Sequence, residues 1–206
     1  MVKNASKKLG FTISNVLKEE VSHVLVNLNP ETLSSPSDNV YFESILTEKW
    51  ILDIEWLEIS MNKGHFVDEI DYIAQGCHDC RTGAPSMART NFSNRRPKLL
   101  DGCHIYLQGY IQSPYPPKKD LMLILKNGGA TVLRREPDPE NIPLSAQKLP
   151  YHAEADSALA QCSHYLIYQE GANEPKLKYN MKHCKSLPMA WLFECIKNFS
   201  LVPPFK

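Results

Sequence analysis

The sequence places metal-ligating residues at short spacing in Cys77-His78-Asp79-Cys80. A structural zinc site needs four ligands, usually thiolates or imidazoles, so these two cysteines would need a second pair. Cys103-His104 is the nearest candidate along the chain. However, Cys103 opens an alternating segment, and consecutive side chains of a strand point to opposite faces. We therefore predict free thiols in a loop, with no bound metal and no other cofactor.

The residue types and spacings that organise catalysis are missing from this sequence. There is no nucleophile elbow, no phosphate-binding loop and no clustered carboxylate pair beside a histidine. The seven histidines are scattered, and His23 and His164 alternate with apolar residues in strand-like segments. These observations predict a protein that is not an enzyme.

The composition is that of an ordinary globular protein and limits the kinds of partner. The 206 residues include 23 Lys and Arg and 23 Asp and Glu, so the formal net charge is zero. Broad, sequence-blind binding to nucleic acid needs a basic surface, so this charge balance argues against it. We also predict no direct sequence-specific DNA binding and no membrane partner. No apolar run approaches the roughly 18 residues of a membrane helix, and the start resembles no signal peptide. A cytosolic or nuclear protein with reduced cysteines is expected.

The second half of the chain has a clear pattern of strands and helices. Residues 101–110 alternate as a strand, and residues 118–127 carry apolar side chains at helical spacing. Gly128-Gly129 follows and precedes a second strand at 130–136. Because glycine accepts the left-handed conformation that closes a helix, we predict a structural role for this pair. A third strand is predicted at 162–170, and residues 185–199 predict a short strand feeding an amphipathic helix.

The first half repeats parts of this pattern in the same order. Three pairs of segments match: 7–17 with 126–133, 21–28 with 162–169, and 52–63 with 187–198. Such matches indicate an internal repeat. We predict a partial first unit at 1–73, a linker at 74–98 that is rich in Gly, Pro, Ser, Arg and Asn, and a second unit at 99–206.

The alternation of strands and helices predicts an α/β fold with parallel sheets covered on both faces. Each unit is expected to be a four-stranded parallel sheet flanked by helices. The first unit is expected to lack its first strand, because the chain opens just before the first glycine of the repeat. A lost strand forfeits several buried side chains, each contributing roughly 1.5–3 kcal/mol. We therefore expect the first unit to be loosely held and to depend on the second.

The repeated residues resemble the marks of the BRCT repeat. These marks are a glycine pair before the second strand, a Ser-His plus aliphatic run in the third, and a tryptophan in the last helix. The second copy has Gly128-Gly129, Ser163-His164 and Trp191, and the first has Gly10, Ser22-His23 and Trp56.

Two such copies resemble a tandem BRCT module. Gly83-Ala84-Pro85 followed by Arg89 is similar to the linker of such pairs. Fragments such as LLDGCHIYLQG, GGATVLRREPDP and SLPMAWLFECI are similar to the C-terminal BRCT pairs found in the RING-domain partners of the breast cancer type-one susceptibility protein.

The resemblance implies a nuclear reader of chromatin. Relatives dock on nucleosomes that carry ubiquitinated histone 2A and support repair of DNA breaks by homologous recombination. An arginine after the second strand of the second repeat anchors them in the nucleosome's acidic patch, and the matching residue is Arg135, with Arg134 beside it. Without the resemblance, the two would be read as solvated arginines at a strand end.

The resemblance also implies a phosphopeptide site that this sequence does not match. Where the family has Thr and Lys near the second helix, the chain has Asp38 and Val40. In the second repeat, Gln108-Gly109 stands in place of a Ser-Gly pair. Asp38 would repel a phosphate, and Val40 cannot donate a hydrogen bond. A phosphopeptide or poly-ADP-ribose reader stays the alternative function.

The chain resembles relatives that also contain a RING segment, which this sequence does not match. We expect no recruitment of a ubiquitin-conjugating enzyme by these residues. An isoform, a divergent paralogue or a truncated gene model would each account for the partial first repeat, and an inactive fragment is a further alternative.

Overall fold

The computed structural model describes residues 2–204, and the chain divides into two compact units, residues 1–93 and 94–206. The first unit contains short helices and strands in alternation. They are α1 (Val2–Leu9), β1 (His23–Val26), β2 (Ser34–Ser35), α2 (Asn39–Leu46), β3 (Trp50–Asp53), α3 (Glu55–Lys63), β4 (Gly76–Cys77) and α4 (Ala84–Ser93).

The strands of the first unit form two separate parallel pairs. β1 pairs with β3 in a register that sets His23 opposite Trp50 and Val26 opposite Asp53. The short strands β2 and β4 pair with each other. Residues of α1, β3, α3 and the segment after α3 form a hydrophobic cluster. Its buried members are Ala5, Leu52, Trp56, Leu57 and Ile73.

Local sequence explains where the helices of the first unit begin and end. Asp38 caps α2, because its side chain accepts a hydrogen bond from the backbone N–H of Tyr41. α3 has Glu55 and Glu58 in its first turn, where carboxylates complement the helix dipole. It ends at Gly64, whose φ of 76° is the left-handed conformation common at helix ends.

The second unit is a single parallel sheet with helices. Its elements are β5 (His104–Leu107), α5 (Lys118–Asn127), β6 (Thr131–Val132), β7 (His164–Tyr168), β8 (Cys184–Pro188) and α6 (Met189–Asn198). The spatial order of the strands is β6-β5-β7-β8, and every pairing is parallel. The predicted four-stranded parallel layer is confirmed, and α5 covers the predicted residues 118–127.

Burial in the second unit follows the expected pattern of a covered parallel sheet. All five residues of β7 are buried, as expected of a central strand between helical layers. α6 buries Trp191, Leu192 and Ile196 against the sheet. The short strand and amphipathic helix predicted within residues 185–199 correspond to β8 and α6.

The glycine pair closes α5 as predicted. The N–H of Gly128 donates to the carbonyl oxygen of Ile124 at 3.0 Å, and Gly129 adopts a φ of 97°. That conformation strains residues with a Cβ. The chain then turns directly into β6, where the N–H of Thr131 donates to the carbonyl oxygen of Cys103 at 2.9 Å.

Each unit places an aromatic ring from a strand against a helical tryptophan, Trp56 of α3 or Trp191 of α6. In the first unit, the His23 ring stacks on Trp56 with centroids 5.1 Å apart. In the second unit, Tyr165 stacks on Trp191 at 5.4 Å. His23 therefore occupies the position that Tyr165 holds.

The strand registers agree with this equivalence. His23 lies opposite Trp50, and Tyr165 lies opposite Lys185. Trp50 precedes the helical Trp56 by the same number of residues as Lys185 precedes Trp191. The sequence match of His23 to His164 is therefore out of step by one residue, which is a correction to the repeat as read from the sequence.

One predicted strand of the first unit is absent from the described residues. Residues 11–14, which match the strand after Gly128-Gly129, have no strand pairing. In the described part of the second unit, the corresponding β6 pairs only with β5. The described part of the first unit holds no strand at the place of β5, so the backbone of residues 11–14 has no neighbour to pair with.

The segment predicted as a linker, residues 74–98, contains β4 and α4. α4 follows Gly83, which has a φ of 73°. The Arg89 guanidinium lies 4.6 Å from the ring centroid of Trp50 and 4.5 Å from that of Phe92. Burial lowers the pKa of Arg89, while the Glu48 charge opposes that effect. The boundaries 1–73, 74–98 and 99–206 stay a prediction.

Among the helices of residues 2–204, none combines the length and apolarity needed to cross a membrane.

Candidate functional site

Arg134 and Arg135 lie together at the surface of the second unit, immediately after β6. β6 is an edge strand, and its last ladder bond runs from the N–H of Leu133 to the carbonyl oxygen of Ile105 at 2.8 Å. Beyond that bond the chain leaves the sheet, and both arginines are exposed. Their position at a strand end is therefore a result of where pairing with β5 stops.

The nearby acidic side chains are engaged with other partners. Tyr179 donates its hydroxyl hydrogen to Glu136 Oε1 at 2.9 Å, and this bond to a carboxylate raises the pKa of Tyr179. Asp138 accepts from the side chain of Asn141 and the backbone N–H of Glu140.

Within residues 2–204, no ion pair involves either arginine. A guanidinium keeps its charge at all physiological pH values and can hold a carboxylate with two parallel hydrogen bonds. The two side chains are therefore available to a partner that presents carboxylates.

Asp38 and Val40 stand at the start of α2 in the first unit. An Oδ1 atom of Asp38 accepts the N–H of Tyr41 at 2.8 Å, so a carboxylate already occupies the place where an anion would meet this helix. Val40 is 44% exposed and offers no hydrogen-bond donor from its side chain. The departure of Asp38 and Val40 from a phosphate site stays a prediction.

A pocket of about 360 Å³ opens near the ends of β1 and β3, and its walls carry three carboxyl groups, from Asp53, Glu55 and Asp71. Asp53 also accepts the backbone N–H groups of Leu28 and Glu55, each at 2.9 Å. The carboxylates in the walls repel a phosphate group, and these two backbone N–H groups already donate to Asp53. The pocket is therefore unfavourable for a phosphate group.

The loop of Gln108-Gly109 in the second unit is held by a lysine. Lys118 Nζ donates to the carbonyl oxygens of Leu107 at 2.7 Å and Gly109 at 2.8 Å. It also lies 5.8 Å from the ring centroid of Tyr106. Burial lowers the pKa of Lys118. The sequence analysis did not single out Lys118. Its position at the start of the predicted helix, shortly after the Gln108-Gly109 loop, could have indicated this contact.

The segment Cys77-His78-Asp79-Cys80 forms a tight turn. The N–H of Cys77 donates to the carbonyl oxygen of Cys80 at 2.9 Å, and the reverse bond measures 3.0 Å. His78 and Asp79 pair at 3.0 Å and are largely exposed. Among the described side chains, no group of three or more His, Cys, Asp or Glu could hold a metal ion.

The conspicuous histidine pair in the second unit is structural. The rings of His104 and His164 stack with centroids 4.4 Å apart, because the two residues are register partners on β5 and β7. Burial lowers the pKa of His164 to about 4, and the neighbouring His104 adds to this effect. Ser163 Oγ lies 2.9 Å from His164 Nδ1.

The strand order, parallel pairings and helical layers define the class of protein. The structure is similar to the BRCT5-BRCT6 domains of S. pombe Brc1, with a TM-score of 0.51 and 15% identity, covering 96% of this chain and 86% of that one. The chain therefore has the fold of a tandem BRCT module, and BRCT modules are non-catalytic.

The sequence identifies the relatives more closely. The chain is 30% identical over 161 residues to human BRCA1-associated RING domain protein 1, which covers 77% of this chain and 19% of that protein. It is 24% identical over 214 residues to the protein of that name from Arabidopsis thaliana, covering 98% of this chain and 29% of that protein. No family model matches the chain.

The chain is thus homologous to BRCA1-associated RING domain protein 1, and the resemblance read from the sequence is confirmed. The match spans less than a third of the length of these curated relatives, from 19% to 29%.

Proposed function

We propose that the chain is a non-catalytic interaction module of the nuclear DNA damage response. In this proposal it binds nucleosomes that carry ubiquitinated histone 2A and supports repair by homologous recombination. The observation that carries the proposal is the pair Arg134 and Arg135, both exposed at the end of β6. In the homologous family, the residue matching Arg135 anchors in the acidic patch of the nucleosome.

The physical chemistry of such a contact favours arginine. The acidic patch presents several carboxylates, and a planar guanidinium can bind two oxygens at once. Since the formal net charge of the chain is zero, attraction to a nucleosome must come from local groups instead of the total charge. Two adjacent arginines without an ion pair among the described residues provide such a local group.

The experiment is a nucleosome-binding titration with nucleosomes assembled with and without ubiquitin on histone 2A. We expect Arg135→Ala to weaken binding about ten- to a hundredfold, as for a central anchor residue. The thermal melt should not change, because the side chain is exposed. Arg96→Ala removes an exposed arginine elsewhere in the same unit and serves as the matched control.

Three outcomes would count against this proposal or favour an alternative. Unaltered nucleosome binding by the Arg135→Ala chain would remove Arg135 as the anchor. Tight binding of phosphoserine peptides or poly-ADP-ribose without nucleosome binding would favour the alternative reader, which the carboxylates at Asp38 and around the acidic pocket oppose. No binding in any of these assays would identify an inactive fragment.

A further inference from the structure

The turn of Cys77, His78, Asp79 and Cys80 has no part in the proposed nucleosome contact, and it places two thiols opposite each other. Cys77 and Cys80 are antiparallel bridge partners. Each of the two residues donates its backbone N–H to the carbonyl oxygen of the other. Because residues that oppose each other in this way direct their side chains to the same face, both thiols lie on one face of the turn.

The separation expected of such a pair suits a disulfide. Residues that exchange both backbone hydrogen bonds have Cα atoms about 5.5 Å apart. Disulfides usually join cysteines whose Cα atoms are about 4.4–6.8 Å apart. Both cysteines carry reduced thiols in this structure. A disulfide can therefore close across the turn with little movement of the backbone.

Contacts on both sides hold the turn in this conformation. Cys77 belongs to β4, and its register partner on β2 is Ser35. The N–H of His78 donates to the carbonyl oxygen of Ser35 at 3.0 Å. A Cβ atom at Gly76 would overlap the carbonyl oxygen of Cys80, so the turn closes tightly over this glycine. The two cysteines are therefore held opposite each other before any oxidation.

The two thiols also share one buried neighbour. Tyr41 of α2 is 2% exposed, and burial raises the pKa of its hydroxyl group. The thiols of Cys77 and Cys80 add to this effect, so both lie close enough to influence the same hydroxyl. This observation agrees with two side chains on one face of the turn.

Access from solvent differs between the two cysteines. Cys77 is fully buried, whereas Cys80 is partly exposed. The side chains of His78 and Asp79 at the tip of the turn are largely exposed, so the turn projects into solvent. An oxidant in solution can therefore reach Cys80 first.

The remaining cysteines differ from this pair, because they are buried and burial raises the pKa of each thiol. They are Cys103, Cys162, Cys184 and Cys195. The thiolate is the reactive form of cysteine. These four thiols should therefore react slowly, and oxidation should select the turn.

We propose that Cys77 and Cys80 form a thiol-modification site, which a small disulfide such as glutathione disulfide oxidises to an intramolecular disulfide. The thiolate of Cys80 attacks one sulfur of glutathione disulfide and releases one glutathione thiolate. The thiolate of Cys77 then attacks the sulfur of Cys80 and releases the second. The two cysteine protons pass to the two glutathione thiolates, and two electrons pass from the cysteines to glutathione disulfide. This reversible bond protects Cys80 from irreversible oxidation.

The test is a thiol–disulfide equilibrium measured on the whole chain. The chain is incubated in glutathione buffers with a series of ratios of oxidised to reduced form, quenched in acid and alkylated. Peptide mass spectrometry then assigns the state of each cysteine. A synthetic peptide of residues 74–83 has the same two cysteines without the packing of β2 and Tyr41 and is the matched reference. The variants Cys77→Ser and Cys80→Ser separate the two steps.

We expect the equilibrium constant for the Cys77–Cys80 disulfide to be at least about tenfold larger in the folded chain than in the peptide, because the folded turn holds the thiols together. Cys77→Ser should leave a glutathione adduct on Cys80, since the second step is blocked. Cys80→Ser should leave Cys77 reduced, since its thiol is buried. The four cysteines of the second unit should stay reduced in all three chains.

Any of three results would overturn the proposal, in chains whose near-ultraviolet circular dichroism shows them to be folded. The first is an equilibrium constant in the parent chain that is equal to or smaller than that of the peptide. The second is a Cys77→Ser chain that gains no glutathione on Cys80. The third is oxidation of the four buried cysteines while Cys77 and Cys80 stay reduced. The parent chain and the peptide alone decide the first result, whether or not the variants fold.

Discussion

The indole N–H of Trp191 donates to the carbonyl oxygen of Val202 at 2.8 Å, eleven residues further along the chain. In the first unit, Trp56 makes the same bond to Val67 at 2.9 Å, again across eleven residues. Each tryptophan thus ties its own helix, α3 or α6, to the segment that follows that helix. This shared bond supports the common origin of the two units better than any single strand does.

We expect Trp191→Phe to lower the free energy of unfolding of the second unit by about 1–3 kcal/mol. The substitution keeps a ring against Tyr165 but loses the indole bond and leaves unfilled space in a site that is 1% exposed. Denaturant-dependent amide exchange in β7 measures this change. Trp56→Phe is the comparison, and it should leave exchange in β7 unaltered. An unchanged free energy for Trp191→Phe would contradict the structural role of the bond.

The two units should differ in local stability. β1 is half-buried and has one paired edge, whereas β7 is buried and paired on both edges. Opening of β1 therefore costs less free energy, and its amides should exchange sooner. Limited proteolysis should cut within residues 1–93 first and leave a resistant product from residues 94–206. Equal protection in β1 and β7 would contradict this prediction.

The second unit should lose stability in mild acid. Burial lowers the pKa of His164 to about 4 in the folded chain. In the unfolded chain, a histidine has a pKa of about 6.5. The unfolded state therefore binds more protons between these values. The stabilisation is complete above the unfolded pKa and is lost as the pH falls towards the folded pKa. Burial also lowers the pKa of His152, which acts in the same direction.

Between pH 7 and pH 5, His164 alone should lower the free energy of unfolding by about 1–2 kcal/mol. Urea denaturation at a series of pH values measures this loss. His164→Gln cannot titrate, so its stability should depend less on pH over the same range. A variant with the full pH dependence of the parent chain would show that His164 is not the responsible group.

The cap of α2 gives a test with closely matched variants. Asp38→Ala removes the acceptor for the N–H of Tyr41 and should lower the stability of the first unit by about 1 kcal/mol. Asp38→Asn keeps an acceptor and should cost much less, because asparagine is also a preferred cap. Thermal denaturation, monitored by a signal that reports on the first unit, measures the loss of stability in both variants. Equal losses would show that the charge of Asp38 matters more than its hydrogen bond.

The second unit was predictable from the sequence because its signals are local. Alternating residues predicted β5, a run rich in aromatic and β-branched residues predicted β7, and helical spacing predicted α5. Gly128-Gly129 marked the turn between α5 and β6. Exposure of Arg134 and Arg135 agrees with their place in a polar stretch after a strand, although their role stays a prediction. Each of these features depends on residues close together in the chain.

The errors lie where pairing between distant segments decides the outcome. Residues 11–14 have the composition of a strand, but a strand exists only if a neighbour accepts its hydrogen bonds. The match of His23 to His164 was wrong by one residue, because similar letters do not specify which backbone groups face β3. A shift of one residue exchanges the two faces of a strand.

Composition, periodicity and the order of motifs were enough to establish a repeated α/β chain with a parallel sheet in its second half. The folded chain alone revealed that β1 pairs with β3, that Lys118 is tied to the loop after β5, and that His23 takes the place of Tyr165. The physical reason is that hydrophobic patterns act along the chain, whereas strand neighbours, loop contacts and ring stacking join residues that are far apart in sequence.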